Sequence, residues 1–333
     1  MKIPEKGLMD LHVHLDGSLS FEMAETLAKM QGMDVKSERD LRNLMTAPKD
    51  CRDLNDYLTK FEYPLELLQT EEAIAYSVYE LLNIQESQGI VYSEIRFAPQ
   101  LHTRKGLTQE QVVAAAVKGL REFMSGPKAE QRKKANCDRL CSGLILCCMR
   151  GADNQAANME TVDVAGEYLK KGVVALDLAG AEALFPTENF ESLFREANRN
   201  GIPFTIHAGE AAGAKSIWKA LEFGASRIGH GVRCLEDRAL VRRLAKDGIP
   251  LELCPTSNIN TRIFNDITNY PILQLLDESI KITINTDNMT VSNTTLRNEF
   301  QFVAETFQLS EMQIAQILKN AAESAFLPIL ERH

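Results

Sequence analysis

The chain has 333 residues, 44% of them hydrophobic and 25% charged, with a formal net charge of −9. That excess of acid argues against nucleic acid or an anionic membrane as a partner, because phosphate binding needs a basic face. The length suffices to bury a core without staples, and the seven cysteines, set mostly in apolar runs, read as reduced thiols of a cytoplasmic protein.

The opening MKIPEKG leads straight into GLMDLHVHLD (7–16), with no apolar leader and no small-residue cleavage site; no window reaches membrane-spanning length. This stretch predicts a strand. His12 and His14 alternate there with Leu11, Val13 and Leu15, so the two imidazoles share one face, roughly 6.6 Å apart along the strand. Residues 20–88 exceed an ordinary crossover and predict extra helices inserted after the first strand, over the face where chemistry gathers. Within them, LNDYLTKFEY (54–63) sets Leu54, Leu58 and Phe61 on one helical face.

Seven more strand-like runs follow. They are GIVYSEIRFAP (89–99), CSGLILCCMR (141–150), GVVALDLAG (172–180), IPFTIHAGE (202–210), ASRIGHG (225–231), IPLELCPTSN (249–258) and IKITINTDN (280–288). Helical patterns separate them. LTQEQVVAAAVKGLREFM opens with Thr108 and Gln111 in capping-box spacing, and a helix after Ser310 starts the same way with Gln313. TENFESLFREANRNG aligns Phe190, Leu193, Phe194 and Ala197 and stops at Gly201, and LEDRALVRRLAKDG carries Leu240, Val241 and Leu244 to Gly248. The dense basic cluster QRKK (131–134) reads as a solvated loop. Cys137, Cys141, Cys147 and Cys148 lack the paired spacing of a zinc knuckle.

Eight strands alternating with helices, without a composition break or linker, predict an α/β chain folded as one (β/α)8 barrel over residues 1–333. An open doubly wound sheet would want a glycine-rich phosphate turn, and neither G-x-G-x-x-G nor a Walker A pattern is present.

A barrel builds its active face where the strands end. Four of the six histidines fall there (His12, His14, His207 and His230), together with Glu210 and the pair Asp287–Asn288. A lone H-x-H is more often packing or surface. Three imidazoles and a carboxylate from the first, fifth and eighth strands, however, suit a divalent metal such as zinc, and leave Glu210 and His230 for proton transfer. Metal, base and acid together make a hydrolytic set. His102 and His333 stand apart and read as structural.

The motifs MDLHVHLDGSLS, ILCCMR, LDLAGAE, TIHAGEAAG, RIGHGV and TINTDN, in this order from first strand to last, resemble the adenosine deaminases of the amidohydrolase superfamily. The resemblance implies one zinc ion per chain on His12, His14, His207 and Asp287. It implies that Glu210 protonates purine N1, making C6 electrophilic, and that His230, helped by Asp287, orients and deprotonates the attacking water. Substrate contacts would come from His14, from the Gly180 backbone at purine N3, from Asp16 at the ribose 5′-hydroxyl and from Asn288 at N7. Leu54, Leu58 and Phe61 would form an apolar lid.

One position departs from the family. Where its members usually carry a second Asp facing N7, this chain has Asn288, and the following MTVSNTT lacks the usual Pro. N7 of a neutral purine accepts, so an Asp must be protonated to donate, whereas an Asn amide donates without that requirement.

The expected activity is zinc-dependent hydrolysis of adenosine and 2′-deoxyadenosine to inosine, 2′-deoxyinosine and ammonia, in purine salvage. The partner is a small purine nucleoside, and oligomeric state, a monomer included, stays open. The alternative keeps metal and mechanism and takes adenine or a 5′-modified adenosine; Asp16 would repel a 5′-phosphate. A non-catalytic purine binder would need a lost catalytic residue, and none is lost. The H-x-E and P-C-x-x-C patterns of nucleic-acid base deaminases are absent.

Overall fold

Each strand-like run supplies a strand: β1 (Leu8–His14), β2 (Ile90–Phe97), β3 (Cys141–Met149), β4 (Val173–Ala179), β5 (Thr205–Ala208), β6 (Arg227–His230), β7 (Leu251–Leu253) and β8 (Ile282–Ile284). The computed structural model describes residues 3–126 and 140–327; the QRKK cluster, Cys137 and His333 lie outside them. β1 to β4 pair in parallel in chain order, and so do β5 to β8. Two seams join these halves. A Leu176↔Phe204 bridge links β4 to the approach of β5, and Val13↔Asp287 links β1 to the segment beyond β8. At the second seam the Asp287 N–H donates to His12 O (2.8 Å) and the His14 N–H donates to Asp287 O (2.7 Å). The result is a (β/α)8 barrel.

Val13 and Leu15 face outward into the apolar layer between strands and helices, which leaves His12 on the inner face by the two-residue pleat. The barrel interior is charged. Arg96 from β2 donates to Asp177 of β4 (2.8 Å) and Glu252 of β7 (3.0 Å), and Arg227 of β6 donates to Glu252 (2.6 Å) and Glu94 of β2. All five side chains are buried. Each of these strands thus spends inward positions on ion pairs that sit under the strand ends.

The helices form as their patterns predict. Both capping boxes are made, Thr108 with Gln111 and Ser310 with Gln313. Leu193, Phe194 and Ala197 are buried, as are Leu240, Val241 and Leu244, and Gly248 ends the latter helix at φ 66°. The insertion between β1 and β2 holds the helices Phe21–Met30, Glu38–Met45, Leu54–Leu58, Glu62–Leu67 and Glu71–Ser87.

The runs at 249–258 and 280–288 end earlier as strands than predicted. Pro255 has no N–H for a ladder and opens the helix Pro255–Asn260. The β8 ladder stops at Ile284, and Asp287 turns left-handed at φ 59°. Among the described residues no helix is long and apolar enough to cross a membrane, and the six described cysteines are free thiols.

Candidate active site

The ends of β1, β5 and β6 and the turn beyond β8 converge on one point. His14 Nε2 lies 3.3 Å from His207 Nε2 and 3.4 Å from Asp287 Oδ1, and His12 Nε2 lies 3.5 Å from the same oxygen. His12 Nε2 is buried and has no hydrogen-bond partner. A tetrahedral ion with arms of about 2.0–2.1 Å separates its ligands by roughly 3.3–3.4 Å. The donor set His12, His14, His207 and Asp287 therefore fits a divalent cation, and its imidazole and carboxylate chemistry suits zinc.

The far nitrogens of two rings are backed by carboxylates. His12 Nδ1–H donates to Glu252 Oε2 (2.8 Å), and His207 Nδ1 lies 2.9 Å from Asp177 Oδ2. Such partners fix ring orientation and leave the opposite lone pair for a metal. Burial opposes ionisation of Glu252, but the Arg96 and Arg227 guanidiniums hold it well below the usual carboxylate range. Burial also drives His14 well below its ordinary value, toward the neutral imidazole that a ligand must be.

Strained backbone aims the remaining groups. His230 and Asp287 both adopt φ 59°, and Gly180 and Gly209 adopt φ 107° and 72°. A side chain in this region costs on the order of 1–3 kcal/mol, and such residues cluster at functional sites. The His230 ring centroid lies 5.0 Å from that of His12 and 5.1 Å from that of His207. His230 Nε2 lies 3.7 Å from Glu210 Oε2. Burial, reinforced by the charges of Asp287 and Glu182, pushes Glu210 well above the usual carboxylate range.

Comparison with known proteins bears on what this arrangement serves. Residues 7–333 match the family model described as adenosine deaminase. The chain belongs to the adenosine deaminase family. It is 46% identical to the adenosine deaminase of Haemophilus ducreyi over 330 residues, 98% of this chain and 93% of that one. An adenine deaminase from Arthrobacter aurescens superposes with a TM-score of 0.83 at 25% identity, covering 98% of this chain and 95% of that one. An amidohydrolase from Burkholderia ambifaria with bound Zn has the same fold, with a TM-score of 0.83 at 20% identity, over 98% and 90% of the two chains. The protein is a hydrolytic deaminase.

In this deaminase a cleft of about 840 Å³, counted to its solvent mouth, opens above the donor cluster. Every residue singled out from the sequence lines it except His12, which is fully buried behind the wall. One side carries His14, His207, Glu210, His230, Asp287 and Asn288; the other is apolar, with Leu54, Leu58, Phe61, Leu65 and Leu101. The lining includes the carboxyls of Asp16, Glu210 and Asp287 and no Lys or Arg. Asp16 is buried, accepts the Gly17 N–H (3.1 Å), and is pushed up to about 6 by burial. Gly180 lies at the wall with the left-handed backbone that suits glycine.

Asn288 is buried, and its Oδ1 has no hydrogen-bond partner. It packs against Gly17 so closely that a Cβ there would fall 1.9 Å from Asn288 Oδ1. The lid segment is a helix, Leu54–Leu58, continued by a 3-10 turn over Thr59–Phe61. Its Tyr57 is buried, with the hydroxyl 2.7 Å from Ser292 Oγ.

The sequence reading missed four groups around the site: Asp177, Glu252, Tyr57 and Asn258. The first two are single acids inside apolar strand runs, a pattern that signals a charged interior. Tyr57 follows Leu54 by three residues and shares its helical face. Asn258 carried no signal. Its amide nitrogen lies 3.1 Å from both Glu210 Oε1 and His230 Nδ1, and its Oδ1 accepts from Tyr270 OH (3.2 Å).

Proposed function

We propose that this deaminase, acting as one domain over its whole length, hydrolyses adenosine and 2′-deoxyadenosine with one zinc ion per chain, in purine salvage. The observation that carries the reading is one cleft lined by three of the four clustered donors, with His12 behind them, and by the buried Glu210 carboxyl. His12, His14, His207 and Asp287 would hold the ion. When bound, a divalent cation of this kind brings the pKa of water from ~15.7 to about 7 and so supplies a nucleophile at neutral pH.

The protein's own groups do the rest. Glu210 gives its proton to purine N1, which draws electron density from C6. His230, with Asp287, orients the attacking water and takes its proton, which leaves with the amine as ammonia. The Gly180 N–H donates to N3 and the Asn288 amide donates to N7, while Asp16 accepts from the ribose 5′-hydroxyl. Leu54, Leu58 and Phe61 cover the ring and exclude bulk water. A cleft lined by carboxyls and without Lys or Arg favours a neutral nucleoside over a nucleotide, since a phosphate would find no partner there.

A second reading keeps the site and takes free adenine, the substrate class named for the Arthrobacter aurescens protein. The test is the absorbance change on conversion of adenosine to inosine by zinc-loaded protein, with adenine and 5′-modified adenosines alongside. Adenosine turnover that chelation abolishes and zinc restores is the expected result; turnover of adenine alone overturns the nucleoside assignment. Glu210→Gln should cut the rate by more than about a hundredfold while one metal equivalent stays bound. A near-normal rate would remove Glu210 from the mechanism.

A further inference from the structure

Two motif residues have no part in that scheme: Arg150, which closes ILCCMR, and Glu182, which closes LDLAGAE. They meet beneath the turn that follows β5. Glu182 is 1% exposed. Its Oε1 accepts the Gly209 N–H (2.7 Å) and the Ser216 hydroxyl, and its Oε2 accepts the Glu210 N–H (3.0 Å) and the Ala212 N–H (2.8 Å).

Beyond Ser216 the bonding runs on in one direction. The Thr187 hydroxyl donates to Ser216 Oγ (2.7 Å), and Arg150 Nη2 donates to Thr187 Oγ1 (3.0 Å). The same Arg150 nitrogen donates to the carbonyl of His207 (2.6 Å). Each hydroxyl accepts on one side and donates on the other, and the chain ends on a carboxylate that can only accept.

We infer that Glu182 is the positioning residue of Glu210, holding the 209–212 backbone so that the Glu210 carboxyl projects into the cleft. The inference rests on Glu210 being the proton donor. Other bonds reach the turn, from the Arg233 N–H to Gly209 O (3.1 Å) and from the Asn258 amide to Glu210 Oε1 (3.1 Å), but neither of them takes up its N–H groups. Gly209 is left-handed at φ 72°, and β5 ends at Ala208, before the turn begins. The N–H groups of residues 209, 210 and 212 therefore lie beyond the strand ladder, and buried N–H groups need an acceptor. Glu182 supplies it for all three from an adjacent strand's loop, beyond the Leu176↔Phe204 bridge and the Asp177–His207 contact that link β4 to β5. Arg150 anchors the start of the turn through His207 O, so that ligand and acid are set by one polar chain.

The test is Glu182→Gln in the zinc-loaded protein. An amide of the same shape keeps one acceptor oxygen and presents an NH₂ to the donors that the other oxygen served. We expect kcat for adenosine to fall roughly 10- to 100-fold, as for a reacting group displaced by about 1 Å. KM should stay within about threefold, because Asp16, Asn288 and the apolar side of the cleft lie on other elements and the Gly180 backbone precedes the substituted residue. Metal content should remain one per chain, since His12, His14 and Asp287 are on β1 and beyond β8 and Arg150 and Asp177 still hold His207. In a double-mutant cycle with Glu210→Gln, the second change should add little further loss, because both remove the same function.

An unchanged kcat, or losses that multiply in the double variant, overturns the positioning role. So does a fall in kcat that tracks a loss of folded or metal-loaded protein. If Glu182→Gln does not fold, Glu182→Asp retains the charge with a shortened reach and should show the same kcat loss at near-normal KM; normal kcat in that variant overturns the inference. Wild-type protein without adenosine turnover refutes the activity reading instead, which keeps the two failures apart.

Discussion

His230 and Asp287 share a left-handed backbone, φ 59° for each, just where a strand gives way to its loop. Both side chains line the cleft. Another buried acid, Glu299, lies outside the cleft, on the helix Leu296–Phe307, where it accepts from Thr256 N–H (3.0 Å) and Thr294 Oγ1 (2.6 Å). Burial pushes it up to about 7 from an ordinary value of 4.5. Between those values the folded chain holds a proton that the unfolded chain has released. The stability it contributes is therefore complete below the lower value and lost as pH rises through about 7. We predict that wild-type Tm falls from pH 5 to pH 8 relative to Glu299→Gln, by an amount corresponding to at most about 3 kcal/mol; parallel Tm curves would contradict it. At this scale the site was largely legible, because an imidazole or carboxyl at the end of an apolar run stands out. Asp177 and Glu252 did not stand out, since a lone acid inside a strand reads as an interruption until the ion pairs behind it are known. Asn258 lies in a run that reads as strand, and only the Pro255 helix brings it to Glu210.

The inserted segment that supplies the cleft's apolar side is tied down by the loops of other elements. Thr46 Oγ1 donates to Thr290 O (3.2 Å) and the Ala47 N–H donates to Val291 O (2.9 Å). Arg262, itself left-handed at φ 60°, donates to the carbonyls of Cys51 (2.8 Å) and Lys49 (2.7 Å). With the Tyr57–Ser292 bond these fasten the inserted helices to the loops after β7 and β8, the latter carrying Asn288. Tyr57→Phe keeps the ring and drops that bond. We predict a KM rise of roughly three- to tenfold with kcat little changed, and no further rise when Ser292→Ala is added; steady-state kinetics of the three variants decide it. The grouping of Leu54, Leu58 and Phe61 at the cleft was legible from its helical spacing, and the individual inserted helices were not, because their short amphipathic stretches run into one another without strands between them. Strand limits were least legible in the second half. There β5 to β8 are three or four residues long, and loop residues that carry function extend the apolar runs.

Across the molecule, the barrel's centre is held by charge as well as by apolar contact. Arg96 joins Asp177 and Glu252, and those two carboxylates in turn back His207 and His12. Structural ion pairs and the donor cluster are therefore one connected body. Arg96→Met leaves Asp177 without a guanidinium and Glu252 with Arg227 alone, and breaking such a buried pair costs about 3–5 kcal/mol. We expect a loss of that size in urea unfolding, together with weaker metal retention, since outer partners of ligating histidines tune affinity by about 10- to 100-fold. A loss of stability without any change in metal affinity would separate the two roles.

The join at Val13 and Asp287 ties the order of assembly to the chemistry. Asp287 takes the His14 N–H and gives its own to His12, so the two bonds that shut the ring also bring the fourth donor against the first two. During synthesis, two imidazoles emerge almost at once and a third at mid-chain, while the carboxylate arrives only near the end. The full donor set thus exists only in a chain whose circuit is complete. If the cluster holds an ion as proposed, uptake would inspect the finished ring: a misregistered or half-closed barrel lacks the full set and would have nothing to load.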